Sequence, residues 1–220
     1  MNRFHRATLL AAATALATAC MGPRDGAAVA VQSASPPEAA LGTNLLEGLG
    51  NHHFPVTSSH PEVQRWFDQG LMLSYGFNHD AAERAFLKAT QLDPQCAMCW
   101  WGAALVVGPH VNAGMDPKNN ASAWSRLQKA RELAPKASAR EQAFIEALSA
   151  RYAANPPENR RPLDEAYAVA TRELMRKLPD DLDAATFHAE ALMDLQPWDY
   201  YDDNKQPKGH TSEVVSTLES

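Results

Sequence analysis

The sequence predicts an all-α protein of stacked helix-turn-helix units, and three observations carry that expectation. Apolar and small residues recur at helical spacing from Val63 onward. The pattern returns with a long period, Trp66 being answered by Trp100 after 34 residues. The helical runs stop at turn and proline signals, among them Asn78, Pro94, Pro135 and Pro179.

The chain has 220 residues, 45% of them hydrophobic and 21% charged, the balance of a globular protein with a sizeable core. A formal net charge of -6 and the absence of a basic stripe argue against a nucleic-acid partner. The first residues differ from the body. Arg3 and Arg6 precede the short uncharged run "ATLLAAATALATA", which ends in a small-x-small signal. This predicts a bacterial secretory signal peptide over 1–19. Cys20 follows directly, so "LATAC" reads either as a lipoprotein signal with Cys20 acylated or as a plain secretion signal. The location expected is therefore exported, periplasmic or anchored to the envelope. Residues 20–50 are rich in Ala, Ser, Pro and Gly near their start and are expected to form a flexible tether. A lead-in over 51–62 follows.

The helical body, 63–220, divides into units of about 63–96, 97–137, 138–181 and 182–220. In the first, Trp66 and Gly70 share one helix face, and Ala82, Phe86 and Ala89 share a face of the next helix, which Pro94 stops. Asn78 tolerates a left-handed turn, and Asp80 with Glu83 resembles a capping box. The second unit begins at Trp100, and Ala123, Leu127, Ala130 and Pro135 repeat the spacing of the second helix. Extra residues fall in its turn, "VGPHVNAGMDPKNNAS". The third carries "NPPENRRPLD" between its helices, and the fourth carries "QPWDYYDDNKQPKGH" before a short last segment.

Trp66, Gly70, Ala82, Phe86, Ala89 and Pro94 at these spacings resemble the tetratricopeptide repeat, with Gln69 standing where a Leu is usual and Leu73 where a Tyr is usual. The resemblance covers 63–220 and is strongest in the first unit. The stretch from Phe67 to Gly102 is also similar to exported bacterial tetratricopeptide proteins without an assigned biochemical role. The resemblance implies a helix-turn-helix solenoid with enlarged loops inside the later repeats. The last helix is short, so the array is expected to continue beyond residue 220. The resemblance also implies a concave face lined by Gln64, Phe67, Leu71, Ser74 and Tyr75, then Met98, Trp101 and Leu105, then Gln142 and Glu146, then Glu190 and Met193. Such a groove suits an extended peptide or a partner helix. The alternative is that the groove is filled by the chain's own inserted loops.

Cys96 and Cys99 sit one turn apart at a helix start. They read as a disulfide staple, as two small buried residues, or as a redox or metal pair. The histidines His52, His53, His60, His79, His110, His188 and His210 show no HExxH spacing, and no second CxxC is present. No phosphate loop or nucleophile elbow appears. No cofactor, no metal and no catalysis are expected. Trp198 and Tyr200 on the last inserted loop are either binding aromatics or covers for an apolar edge. The leading expectation is a non-enzymatic scaffold for a protein or peptide partner. Its alternatives are a metal- or redox-linked periplasmic protein using Cys96, Cys99 and histidines, and an accessory repeat domain of a longer protein whose active part lies beyond residue 220.

Overall fold

The computed structural model describes residues 44–219. The expected signal peptide, Cys20 and most of the expected tether lie outside them. Eight α-helices follow one another: α1 (Val63–Tyr75), α2 (His79–Leu92), α3 (Ala97–Leu105), α4 (Asn120–Leu133), α5 (Ala139–Ser149), α6 (Arg161–Lys177), α7 (Leu182–Asp194) and α8 (Thr211–Glu219). There is no β-strand among the described residues, only two isolated bridges inside loops. Helices pack in sequence as pairs, α1 with α2, α3 with α4, α5 with α6 and α7 with α8. Three inserted loops fall inside the later pairs, as the spacing predicts.

Local signals explain the boundaries. Ser138 and Glu141 form a reciprocal capping box on α5, and the Asp181 carboxylate accepts from the Asp183 and Ala184 amides at the start of α7. The Cys96 sulfur accepts from the Cys99 amide at the start of α3. The turn after α1 differs from expectation. Phe77, not Asn78, takes the left-handed conformation, with φ 58°. Asn78 makes no side-chain cap, and Asp80 lies in the first turn of α2.

Close approach depends on two glycines. Phe86 of α2 lies against Gly70 of α1 and Gly102 of α3; a Cβ at either glycine would stand 2.8 or 2.5 Å from the ring. One aromatic from each first helix meets the same core: Phe67, Trp101, Phe144 and Phe187, all at most 2% exposed. Trp101 is central, with ring centroids 6.4 Å from Phe67, 5.9 Å from Phe144 and 5.4 Å from Phe187. Phe67 and Trp101 keep the 34-residue spacing of Trp66 and Trp100, and the inserted loops lengthen the next two steps.

The segment before α1 is the main departure. Residues 44–50, expected to be tether, are docked: the Gln69 side chain accepts from the Leu46 amide at 2.7 Å and donates to the Asn44 carbonyl at 2.9 Å. Gln69 is thus the residue of α1 that holds this segment. The lead-in enters the aromatic core itself, where Phe54 is 0% exposed and packs on Phe67, Trp101 and Phe144. Phe54→Ala removes the ring that joins three helices and is expected to cost about 3–5 kcal/mol. Denaturant unfolding monitored by circular dichroism measures this; a midpoint equal to wild type would contradict the role.

Candidate functional site

The face shared by α1, α3, α5 and α7 has two parts, one occupied by the chain itself and one open. In the occupied part, residues 52–58 run along the helices held by side chains that bond their backbone. Gln64 accepts from the Val56 amide at 3.0 Å and donates to the Phe54 carbonyl at 2.7 Å. Asp68 accepts from the Phe54 amide, and its carboxylate also meets His53. Glu141 accepts from both the amide and the hydroxyl of Thr57, each at 2.6 Å. Arg140 closes the arrangement, its guanidinium 3.9 Å from the Phe54 ring centroid while pairing with Asp181 and Asp183. His52 pairs with Asp183 at 3.0 Å. Farther along, Asp93 accepts from Ser58 and Ser59, which hold its carboxyl below the usual range against the opposing effect of burial.

The face residues expected from the sequence divide accordingly. Gln64, Phe67 and Trp101 engage the chain's own segment, and Leu71 and Met98 are wholly buried. Tyr75, Leu105 and Glu190, with Ser74 and Met193, line the open part. Gln142 and Glu146 do neither. Both are exposed, and Gln142 donates to the Ala137 carbonyl. The inward positions of α5 are instead Glu141, Phe144 and Leu148. Glu141 had the signature of a helix cap, which concealed its second role. Phe54 and Asp68 were also missed, although Gln69 in place of Leu was a visible sign that something docks on α1.

The open part is a pocket of about 180 Å³ whose wall is mainly apolar. Tyr75, Leu105, Val106 and Met193 come from helix ends, Phe187 from the middle of α7, Pro109 and Val111 from the first inserted loop, Leu218 from α8, and Phe77 stands at the α1–α2 turn. The titratable groups, apart from the Tyr75 hydroxyl, are His79, Arg151 and Glu190, and Ser74 and Thr186 add hydroxyls. Arg151 is buried and donates to Asp194 at 2.6 Å and to the Pro109 carbonyl at 2.7 Å. Its guanidinium lies 4.4 Å from the Tyr167 ring centroid. Burial opposes its charge, but Tyr167, Asp194, Tyr152 and Glu190 outweigh it, and its pKa lies above the ordinary guanidinium range. Burial raises the Glu190 carboxyl and lifts Asp194 to about 7, each against the attraction of Arg151. Arg151 thus faces two carboxyl groups that compete for one positive charge, and Asp194 holds the direct bond. Among the described residues no hydrogen bond or ion pair satisfies the Glu190 carboxylate. Tyr152 lies against the inserted loop and donates to the Ala104 carbonyl of α3 at 2.8 Å.

The histidines do not assemble. His79 stacks on His110 with centroids 4.0 Å apart, and neither ring nitrogen of His79 has a hydrogen bond. His188 lies in α7 against Thr171 and Glu213. Among the described residues no three His, Cys, Asp or Glu side chains converge as a metal site would need. Cys96 and Cys99 are joined as a disulfide and both are wholly buried. On the last inserted loop Trp198 stands out in solvent at 74% exposure with φ 62°, while Tyr200 is half-buried.

No protein-family model, curated protein or solved structure matches the chain. Among the described residues no helix is long and apolar enough to cross a membrane.

His79 gives a pH signature. Burial, then His110 and Arg151, lower its pKa from 6.5 to about 4, so between these values the unfolded chain binds more protons. Its neutral form is favourable above the upper value, and that advantage fades as pH falls through the window. The raised carboxyls of Asp194 and Glu190 act in the opposite sense, so the comparison with His79→Leu isolates the effect. Wild type is expected to lose more thermal stability than His79→Leu between pH 7 and about pH 4.5. Parallel melting curves across that range would remove His79 from this account.

Proposed function

We propose that the chain is a tetratricopeptide-type scaffold that binds an extended peptide or protein segment and performs no catalysis. One observation carries the reading: the shared face already holds an extended segment through side-chain bonds to its backbone, above all the paired bonds of Gln64 to residues 54 and 56. Bonds to backbone groups give affinity for an extended chain, and pockets for side chains give selectivity. The open pocket continues from that segment, because Tyr75 lines it and also packs edge-on against His52. The occupied part then acts as a fixed floor, and the partner engages the pocket end. Support for the repeat assignment comes from the 34-residue spacing, the pairwise packing of helices and the glycines under Phe86.

The basic head and apolar run before Cys20 support export to the periplasm or envelope, with Cys20 as the lipid attachment point. In that oxidising setting Cys96–Cys99 serves as a staple at the start of α3. Exchange with another thiol needs access to a sulfur, and both sulfurs are buried.

Selection from a displayed library of unstructured dodecapeptides tests the reading. Wild-type protein is expected to enrich related sequences, and Leu105→Arg/Met193→Arg protein of unchanged helicity is expected to lose them. Equal enrichment on the variant would place binding elsewhere, and no enrichment on wild type would defeat the peptide reading.

A further inference from the structure

We infer that the pocket between α3 and α7 receives a basic side chain, the lysine or arginine of a bound segment, with its head at Glu190 and its stem against Leu105, Phe187 and Met193. The inference rests on the peptide reading above and adds the chemistry of the residue that enters.

Charge complementarity selects the occupant. Two carboxyl groups, Glu190 and Asp194, share the neighbourhood of one guanidinium, that of Arg151. Arg151 donates to Asp194 and to the Pro109 carbonyl, its Nε has no hydrogen-bond partner, and none of its bonds reaches Glu190. No other lysine or arginine lines the pocket. Glu190 is therefore left as an acceptor in an apolar wall with no partner among the described residues. Such a group is costly when it ionises alone and strongly favourable once a cation meets it.

Shape agrees with charge. The wall beside Glu190 is apolar, which suits the methylene stem of a long basic side chain. Tyr75, Phe77 and Phe187 present rings to the same space, favourable neighbours for a cation. Phe77 is 52% exposed and its backbone adopts φ 58°, a conformation uncommon for a bulky residue. The turn therefore holds a large ring at the mouth at a local conformational cost. An anionic side chain would meet the Glu190 carboxyl, and the Arg151 guanidinium that also lines the pocket is already bonded to Asp194. A neutral apolar one would cover the half-buried Glu190 carboxyl without giving it a partner. A metal ion would find a single free carboxylate where three or more ligands are needed.

The full chain with ¹³C-methyl methionine provides the test, with the Met193 methyl resonance assigned through Met193→Leu. Acetyl-lysine methylamide and acetyl-arginine methylamide are titrated against acetyl-norleucine methylamide, which has the stem without the charge. A lysine or arginine probe is expected to shift the Met193 methyl saturably, with norleucine at least about tenfold weaker. Glu190→Gln is expected to abolish that preference and Glu190→Asp to keep part of it. Norleucine binding as well as the basic probes, an undiminished preference in Glu190→Gln, or no shift from any probe would each overturn the inference. Its failure is separable from that of the peptide reading. Selected peptides that need Leu105 and Met193 but carry no basic residue would keep the scaffold and remove the basic side chain.

Discussion

Phe54 inserted among Phe67, Trp101 and Phe144 is the constraint on which the arrangement depends. A helix pair of this size cannot bury its own apolar face and must share it with its neighbours. Here the sharing is mediated by a residue that belongs to none of the pairs. The ring reaches α1, α3 and α5 at once, and Trp101 passes the contact on to Phe187 of α7. Arg140 lies over the same ring and pairs with Asp181 and Asp183 at the start of α7. The start of α7 is thus set by a cation held in place by an aromatic ring of the N-terminal segment.

The segment's backbone imposes a second demand. Its amides and carbonyls enter a partly buried environment and need partners. Gln64, Asp68 and Gln69 from α1 and Glu141 from α5 supply them. Gln64 and Glu141 stand at corresponding places, three residues before Phe67 and Phe144. The two positions repeat as structure although their residues differ. That correspondence explains why α5 presents Glu141 rather than Gln142, with Gln142 turned to solvent.

Periodic features were legible in the sequence because repetition leaves a signal in one dimension. The succession of helices and the loops between the later ones follow from the long spacing and helical period, whereas Phe67 and Trp101, expected to face a partner, are buried under the chain's own Phe54. Two things were not legible. The docking of residues 44–58 is a long-range event, and a lone Phe54 between histidines and a proline has no period to announce it. The register of α5 shifted by one residue because an inserted loop precedes the later units, and Glu141 already had a sufficient local reason to exist as a cap. Within the candidate site, Tyr75, Leu105 and Glu190 could be placed on a common face. Arg151 could not, since it follows the end of α5 and reaches the pocket only through its bond to the first inserted loop.

The position of the pocket follows from the same events. The N-terminal segment fills the face as far as His52, which packs edge-on against the ring of Tyr75, whose hydroxyl donates to Asp183. Beyond that point the first inserted loop rises as a wall, fixed by Arg151 bonding the Pro109 carbonyl and packed against Tyr152, whose hydroxyl donates to the Ala104 carbonyl of α3. Gly108 permits this approach, because a Cβ there would stand 2.4 Å from the Tyr152 hydroxyl. Anchoring the loop requires a buried guanidinium, and a buried guanidinium requires a carboxylate, which Asp194 supplies. Glu190 is one turn earlier on α7 and therefore points to the same region, but structural support needs only one of the two acids. The surplus carboxyl is the feature that the fold does not account for. It lies where the chain's own segment ends and a partner's could begin.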